Sequence, residues 1–386
     1  MIPTSTIDRT MEFTLRLIGV WPDSSCRFLP RVVWTMTMII SQFLQYWYLF
    51  THIGSDTLPD LLDSLSLCLS NSLLFLKLSL LWFNGRIIYN LFATMAEDWN
   101  ECASTRLKMQ SMINKAILSR RFSRFSIGAY SCSIFLFGVG NMVIQKSTDS
   151  EQLVEERQLI VKMELPPECS ISPLYEIVSV TQFLVQSTLA LVAGMLNAFI
   201  VTLILHVAGQ IDIICHELLE IPIAEDKCDM RIVALRSIVN RHQRIIAFAD
   251  SIENVFCYMS LMQFFSNMFV ICFLGFIIVT SLNSPDVDLL LMRIMPYYIV
   301  MNLEAFVLCY SGEYLNSKSK SINEAAYNSF WYELKSTESK IIFFLIMKSQ
   351  KELTMTIGKF MNLSLEGFTS ILQASASYVS VLHAMY

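Results

Sequence analysis

Gly367-Phe368-Thr369-Ser370-Ile371-Leu372-Gln373-Ala374-Ser375-Ala376-Ser377-Tyr378-Val379-Ser380-Val381-Leu382-His383-Ala384-Met385-Tyr386 runs for 20 residues without a formally charged side chain. Coiled as a helix, about 20 residues rise roughly 30 Å, the thickness of a bilayer's hydrocarbon core. The stretch is therefore expected to cross a membrane, with the chain ending as it leaves the lipid and no tail beyond. Upstream of it, Asn323–Leu353 mixes the apolar run Ile341-Ile342-Phe343-Phe344-Leu345-Ile346-Met347 with Glu324, Glu333, Lys335, Glu338 and Lys340. Each such charge costs about 2.5–3.5 kcal/mol near a bilayer centre, so this segment is expected outside the lipid as a cytosolic assembly helix.

The rest of the chain fits that start. It is 54% hydrophobic and 16% charged, well below the roughly 25% charge of a soluble domain. Its apolar residues come in long blocks between charged loops, which predicts an all-α polytopic membrane protein. Seven spans are expected, at about 32–50, 58–83, 125–145, 177–205, 254–282, 289–310 and 363–386. Met1 to Pro30 lacks the unbroken apolar region of a signal peptide and is expected to lie along the membrane.

Lys and Arg sort by side. The N-terminal arm, 84–124, 209–253 and 312–360 hold 23 of them, whereas 51–57, 146–176 and 283–288 hold 3. The positive-inside rule places the N-terminus in the cytosol and, after seven crossings, the C-terminus outside. The 146–176 loop carries Asp149, Glu151, Glu155, Glu156, Glu164, Glu168 and Glu176, a negative field that would gather cations on the outer side.

Nothing points to an enzyme. Gly-x-Ser-x-Gly, His-Glu-x-x-His, a Walker loop and a dinucleotide fingerprint are all missing, so no cofactor and no nucleic-acid partner is expected. His52, His206, His216, His242 and His383 are scattered, and no Cys/His spacing suits zinc. Of 10 cysteines only Cys169 falls in an outer loop, which leaves no disulfide framework to read. The sequon Asn362-Leu363-Ser364 sits on the predicted cytosolic side and reads as accidental. Lys77 and Asp63 lie near opposite ends of the second span and are expected to snorkel outward rather than pair. Glu304 and Glu366 fall toward the inner ends of the sixth and seventh spans, with no role to assign.

Several motifs resemble those of insect odorant receptors. Leu15-Arg16-Leu17-Ile18-Gly19-Val20-Trp21-Pro22 is similar to the family's N-terminal motif. More specific are Cys309-Tyr310-Ser311-Gly312-Glu313, Ala325-Ala326-Tyr327 with Trp331-Tyr332, Lys348-Ser349-Gln350, Gly358-Lys359-Phe360 and Leu363-Ser364-Leu365-Glu366-Gly367-Phe368. Ser377-Tyr378-Val379-Ser380-Val381-Leu382 resembles the family's Ser-Tyr-Phe-Thr-Leu-Leu ending. The chain departs from the pattern at Val379, His383 and Ala384, where Phe, Arg and Gln are common. A gustatory receptor is the alternative, though its usual ending is not matched by Ala384-Met385. A G-protein-coupled receptor is disfavoured by the charge sorting and the missing Asn-Pro-x-x-Tyr.

The resemblance implies a ligand-gated, non-selective cation channel in the plasma membrane of a sensory dendrite, with a small volatile ligand. It also implies a heterotetramer with a shared co-receptor subunit. The short segment Gly209–Glu253 resembles a tuning subunit, because the co-receptor's is longer. Residues 1–311 would then form a ligand-sensing bundle, and 312–386 an anchor helix plus a pore-lining span. Tyr327, Trp331 and Tyr332 are expected in subunit assembly. Tyr378, Val381 and Met385 recur at spacings of 3 and 4 on one helical face, an apolar ring suited to closing a pore by dewetting. The family's gate matches Val381 and Met385. Its ligand pocket, carried over to this chain, takes in Ser66, Ser70, Phe135, Gly138, Met142, Val180, Phe183, Leu184, Ser187, Phe276, Tyr297, Tyr298 and Met301. Pro296 would loosen the sixth span beside the tyrosines.

Overall fold

In a computed structural model, residues 5–21, 28–149, 159–166, 173–221, 228–282 and 287–385 are described. Of the acidic outer loop, Glu151, Glu155, Glu156 and Glu168 lie outside the described residues, as does Cys169.

The described chain is helical: α1 Arg9–Leu17, α2 Phe28–Thr51, α3 Leu58–Phe83, α4 Gly85–Cys102, α5 Arg106–Asp149, α6 Leu174–Leu219, α7 Cys228–Ser281, α8 Val287–Tyr327, α9 Ser336–Ser349 and α10 Leu365–Met385. One small antiparallel hairpin, β1 Thr356–Ile357 against β2 Met361–Asn362, pairs Thr356 with Asn362 and Ile357 with Met361. Within the described residues, α3 and the apolar stretches of α5 to α8 are five helices long and apolar enough to cross a membrane. With α2 and α10, of 24 and 21 residues, they make seven of membrane length.

The four long helices correct the expected loops. α5, α6, α7 and α8 have 44, 46, 54 and 41 residues, so they reach roughly twice a bilayer's depth. The basic segments 84–124 and 209–253 are thus mostly helix that continues past the lipid. Charge marks where the water begins, not where the helix stops. These extensions are tied by ion pairs: Asp212 of α6 holds Lys115 of α5 at 2.9 Å and Lys318 of α8 at 2.7 Å. Glu101 of α4 takes both guanidinium nitrogens of Arg244 of α7, at 2.7 and 2.5 Å. The Arg244 guanidinium holds the Glu101 carboxyl below its usual range. That pair therefore stabilises above the ordinary carboxylate pKa and is lost as acid protonates Glu101.

α6 is the axis of the packing. Its residues from Leu189 to Ile214 are largely buried, including Phe199 and Ile211 at 0% exposure. Around it the main core cluster joins α1, α2, α3, α4, α6, α7, α8 and α9.

The N-terminal arm packs one face on the bundle and leaves Phe13 and Leu17 exposed on the other. Met11, Leu15 and Ile18 are buried. Three successive carbonyls are captured: Leu17 by the Trp34 indole at 3.1 Å, Ile18 by the Trp82 indole at 2.9 Å, and Gly19 by Arg31 at 2.9 and 3.0 Å. Gly19 sits at φ 70, in the left-handed region that suits glycine. The Ile18-Gly19-Val20 turn is thus explained by backbone capture.

The expected assembly helix over 323–353 is broken. α8 runs unbroken through Gly312 to Tyr327, Phe330 takes a left-handed backbone at φ 52, a turn of 3-10 helix covers Trp331–Glu333, and α9 begins at Ser336. Glu338 and Arg231 of α7, both buried, bond at 3.2 Å and anchor α9. The hairpin then docks on α7: the Gly358 N–H donates to the Cys257 carbonyl at 3.2 Å, and the Thr356 N–H to Glu253 at 2.9 Å. α10 returns along α7 and α8, where Ser375 donates to the Met268 carbonyl at 3.1 Å.

Candidate functional site

A cavity of about 90 Å³ lies among α3, α5, α6 and α8. Helical periodicity brings its lining together. Ser70, Asn71, Leu74 and Lys77 share a face of α3, and Tyr297, Val300, Met301 and Glu304 a face of α8. Ile134 and Phe137 of α5 and Leu189, Ala190 and Ala193 of α6 supply most of the apolar wall.

At one end of the cavity the Tyr297 hydroxyl donates to the Ser66 carbonyl at 3.2 Å and meets the Ser70 hydroxyl at 2.6 Å. At the other end four side chains from four helices close a ring. Lys77 Nζ donates to Glu304 Oε1 at 2.7 Å and to Asn197 Oδ1 at 3.2 Å. Tyr130 donates to Glu304 Oε2 at 2.6 Å, and Asn197 Nδ2 donates to the Tyr130 hydroxyl at 2.8 Å. Lys77 is 2% and Glu304 7% exposed, so this is a buried ion pair in which both Glu304 oxygens and two of the three Lys77 N–H groups are bonded within the ring.

Lys77 and Asp63 do not snorkel. Each crosses to α8, Lys77 to Glu304 and Asp63 to Arg293 at 2.5 Å, and Arg293 also donates to Asn141 at 3.0 Å. Two ion pairs therefore bracket the α3–α8 contact, with the cavity between them. Over the α5 side lies the extended segment 159–166. Its Val161 is buried against Leu67 and Phe137, and both its backbone groups are held by the Gln182 amide, at 3.3 and 3.2 Å. Lys162 pairs with Asp60 at 2.8 Å.

Of the residues expected in the pocket, Ser70, Tyr297 and Met301 line the cavity, and Ser66 contributes its carbonyl behind Tyr297. Phe183 packs over Gly138, where an added Cβ would come within 2.7 Å of its ring. Phe276 is wholly buried in a second cluster with Met301, and Tyr298 packs on that cluster's edge. Ser187 is half-buried outside the cavity lining. Phe135, Met142, Val180 and Leu184 are exposed on the outside of the bundle. The lining residues missed include both apolar wall residues and the polar Asn71, Lys77, Tyr130, Ser133, Gln186 and Glu304. A Lys in one apolar span and a Glu in another are the signal that could have paired them.

Tyr378, Val381 and Met385 are exposed on α10, at 51%, 56% and 82%, on the face turned away from α7 and α8. Tyr327 and Tyr332 are exposed, while Trp331 packs partly on the main core. Glu366 is exposed in the first turn of α10, where its charge complements the helix dipole.

A family model described as 7tm Odorant receptor matches residues 57–376. Among curated proteins, the putative odorant receptor 92a of Drosophila melanogaster is 28% identical over 155 residues, 39% of this chain and 36% of that one. Odorant receptor 10 of Aedes albopictus is 26% identical over 158 residues, 41% and 40% of the two chains. The matched stretches thus span well under half of these relatives' own length. Among solved structures, the olfactory receptor OR5 of Machilis hrabei in complex with eugenol superposes with a TM-score of 0.82 at 16% identity, over 98% of this chain and 97% of that chain. The same receptor described without eugenol gives a TM-score of 0.79 at 14% identity, over 97% and 96%. At these identities the likeness is one of fold.

Proposed function

Because this multi-pass chain belongs to the 7tm odorant receptor family, we propose that it is a subunit of a ligand-gated, non-selective cation channel opened by a small volatile molecule. The family is one of receptors rather than enzymes. The observation that carries the reading is the two-faced character of α10. One face is fixed to α7 through Ser375 and through Gly275, whose added Cβ would lie 3.3 Å from Val379, and to α8 through Phe368 packed edge-on against Phe306. The other presents Tyr378, Val381 and Met385 with no contact inside the chain that would bury them. Around an axis of several subunits, that face is a pore wall whose apolar ring gates by dewetting.

The cavity between α3, α5, α6 and α8 is the ligand site in this reading. That a related fold has been described with eugenol supports the choice of ligand class. A ligand opens the channel by its difference in affinity between closed and open states. Residues 1–311 sense, and 312–386 anchor and gate. Exposed Tyr327, Phe330, Tyr332, Phe343, Phe344 and Met347 gather around α9 and its turn, a surface suited to subunit contact. The partner is a shared co-receptor subunit, this chain being the tuning subunit, since α6 ends at Leu219 and α7 begins at Cys228. The charge sorting sets the N-terminus in the cytosol of the sensory cell and α10's end outside the plasma membrane.

The experiment is expression with and without the co-receptor, followed by a volatile panel under voltage clamp, with a C-terminal tag stained in intact cells. Odour-evoked cation current and surface staining are expected; a cytosolic tag or anion-selective current overturns the reading. Val381→Ala, which shortens the ring's side chain, is expected to raise basal conductance severalfold. An unchanged closed-state leak removes Val381 from the gate.

A further inference from the structure

We infer that the cavity selects a neutral ligand carrying one hydrogen-bond-accepting oxygen (an aldehyde, ketone, ester or alcohol) on a short apolar body, seated with that oxygen on Lys77. The inference rests on reading this cavity as the ligand site. It follows from counting donors and acceptors in the buried ring.

An ammonium has three N–H groups and a primary amide two. Lys77 spends one on Glu304 and one on Asn197, so one is left over. Tyr130 gives its only hydrogen to Glu304 and receives one from Asn197. Lys77, Tyr130 and Glu304 line the cavity, whereas Asn197 does not. What the ring offers a guest is therefore a donor. Both Glu304 oxygens already accept short bonds, and the Lys77–Glu304 pair is neutral as a whole. A cationic guest would meet the Lys77 ammonium, and an anionic guest the Glu304 carboxylate, each bringing an unpaired charge into a dry site. A neutral oxygen completes the third Lys77 bond without adding charge. A pure hydrocarbon would displace whatever water makes that bond and leave the donor empty. Elsewhere Ser70 and Tyr297 bond each other, and so do Gln186 and Asn71, while the apolar part of the wall, with Leu74, Phe137, Leu189 and Met301, takes the apolar body. At about 90 Å³ the space is smaller than the roughly 150 Å³ that accepts benzene, so a six-carbon body enters as the flexible Met301 side chain moves aside, and a longer one is excluded.

The test is binding of hexane, hexanol, hexanal, hexylamine and hexanoic acid to the purified full chain in nanodiscs, read by thermal shift. It is repeated on the double variant Lys77→Met with Glu304→Gln, which removes the donor without stranding a charge. Hexanal and hexanol are expected to half-saturate at roughly tenfold lower concentration than hexane, amine and acid, as a charge-assisted bond implies. In the double variant that advantage falls to near unity. Hexane equal to hexanal, preference for the amine or the acid, an advantage that survives in the double variant, or no binding by any probe overturns the inference. The channel reading is scored apart, by hexanal-evoked current in cells expressing chain and co-receptor. The expected binding order without current sinks the channel and leaves the ligand class standing; current that ignores the oxygen does the reverse.

Discussion

Lys77→Met alone is expected to destabilise the chain by about 3–5 kcal/mol, the cost of stranding one member of a buried ion pair. Methionine matches lysine in length, so the loss is electrostatic rather than a cavity. Glu304 then keeps only Tyr130 as a donor, and Asn197 Oδ1 loses its partner. Four helices meet at this ring, so the damage is not local: α3, α5, α6 and α8 each lose a fixed point. The measurements are thermal unfolding of the purified chain in detergent and the amount delivered to the cell surface. Adding Glu304→Gln removes the stranded charge, and replacing a pair with neutral groups is often tolerated. The double variant is therefore expected to recover most of the lost stability. Should the single variant unfold at the wild-type temperature, the Lys77–Glu304 bond does not carry weight in the folded chain.

Why that ring escaped the sequence is a matter of where its members lie. Lys77, Tyr130, Asn197 and Glu304 belong to four helices widely separated along the chain. Hydropathy says each helix enters the membrane, but not which face meets which neighbour. A lone Lys in an apolar span reads as a snorkelling side chain until its Glu is known to stand opposite. The second span, by contrast, was legible to its ends: the apolar run stops at Phe83, and the Thr57 hydroxyl caps the start by accepting from the Asp60 N–H at 3.4 Å. Phe135, Met142, Val180 and Leu184 show the opposite limit. In water an apolar side chain announces a core, but lipid is as apolar as leucine, so the same residues serve equally on the outside. Of the residues expected in the pocket, Ser70, Tyr297 and Met301 line the cavity, and two of these carry a hydroxyl that lipid would not satisfy. The C-terminal motifs were legible as motifs, yet their cause was not. Gly358 needs its positive φ of 61 and leaves no room for a Cβ beside Leu261, a contact between segments about a hundred residues apart.

The close approach at Gly312 carries the second large effect. A Cβ built there would lie 2.4 Å from Leu363 Cβ and 2.6 Å from the Leu363 carbonyl oxygen. Overpacking a tight contact costs about 1–3 kcal/mol when side chains can move aside. Here they cannot do so alone, because the obstacle includes backbone. Leu363 is buried, and its N–H is bonded to the Met355 carbonyl at 2.8 Å, which closes the hairpin just before α10. Gly312→Ala is therefore expected at or above the upper end of that range, and Gly312→Val well beyond it. Two other helical glycines supply the scale. At Gly275 the nearest atom to an added Cβ is Val379 Cγ2 at 3.3 Å, the tip of a side chain, so alanine there should cost less. At Gly128 nothing lies within 4 Å, and alanine should be neutral or stabilise by about 0.5–1 kcal/mol through helix propensity. The ordering of thermal unfolding temperatures should run Gly128→Ala highest, then Gly275→Ala, then Gly312→Ala. In the proposed channel the position also matters for gating, because Gly312 is where α8, which lines the cavity, touches the segment leading into α10. Pushing them apart should leave hexanal binding at the cavity less affected than the current it evokes. A Gly312→Ala chain that matches wild type in both unfolding and ligand-evoked current would mean that α8 and α10 do not communicate through this contact.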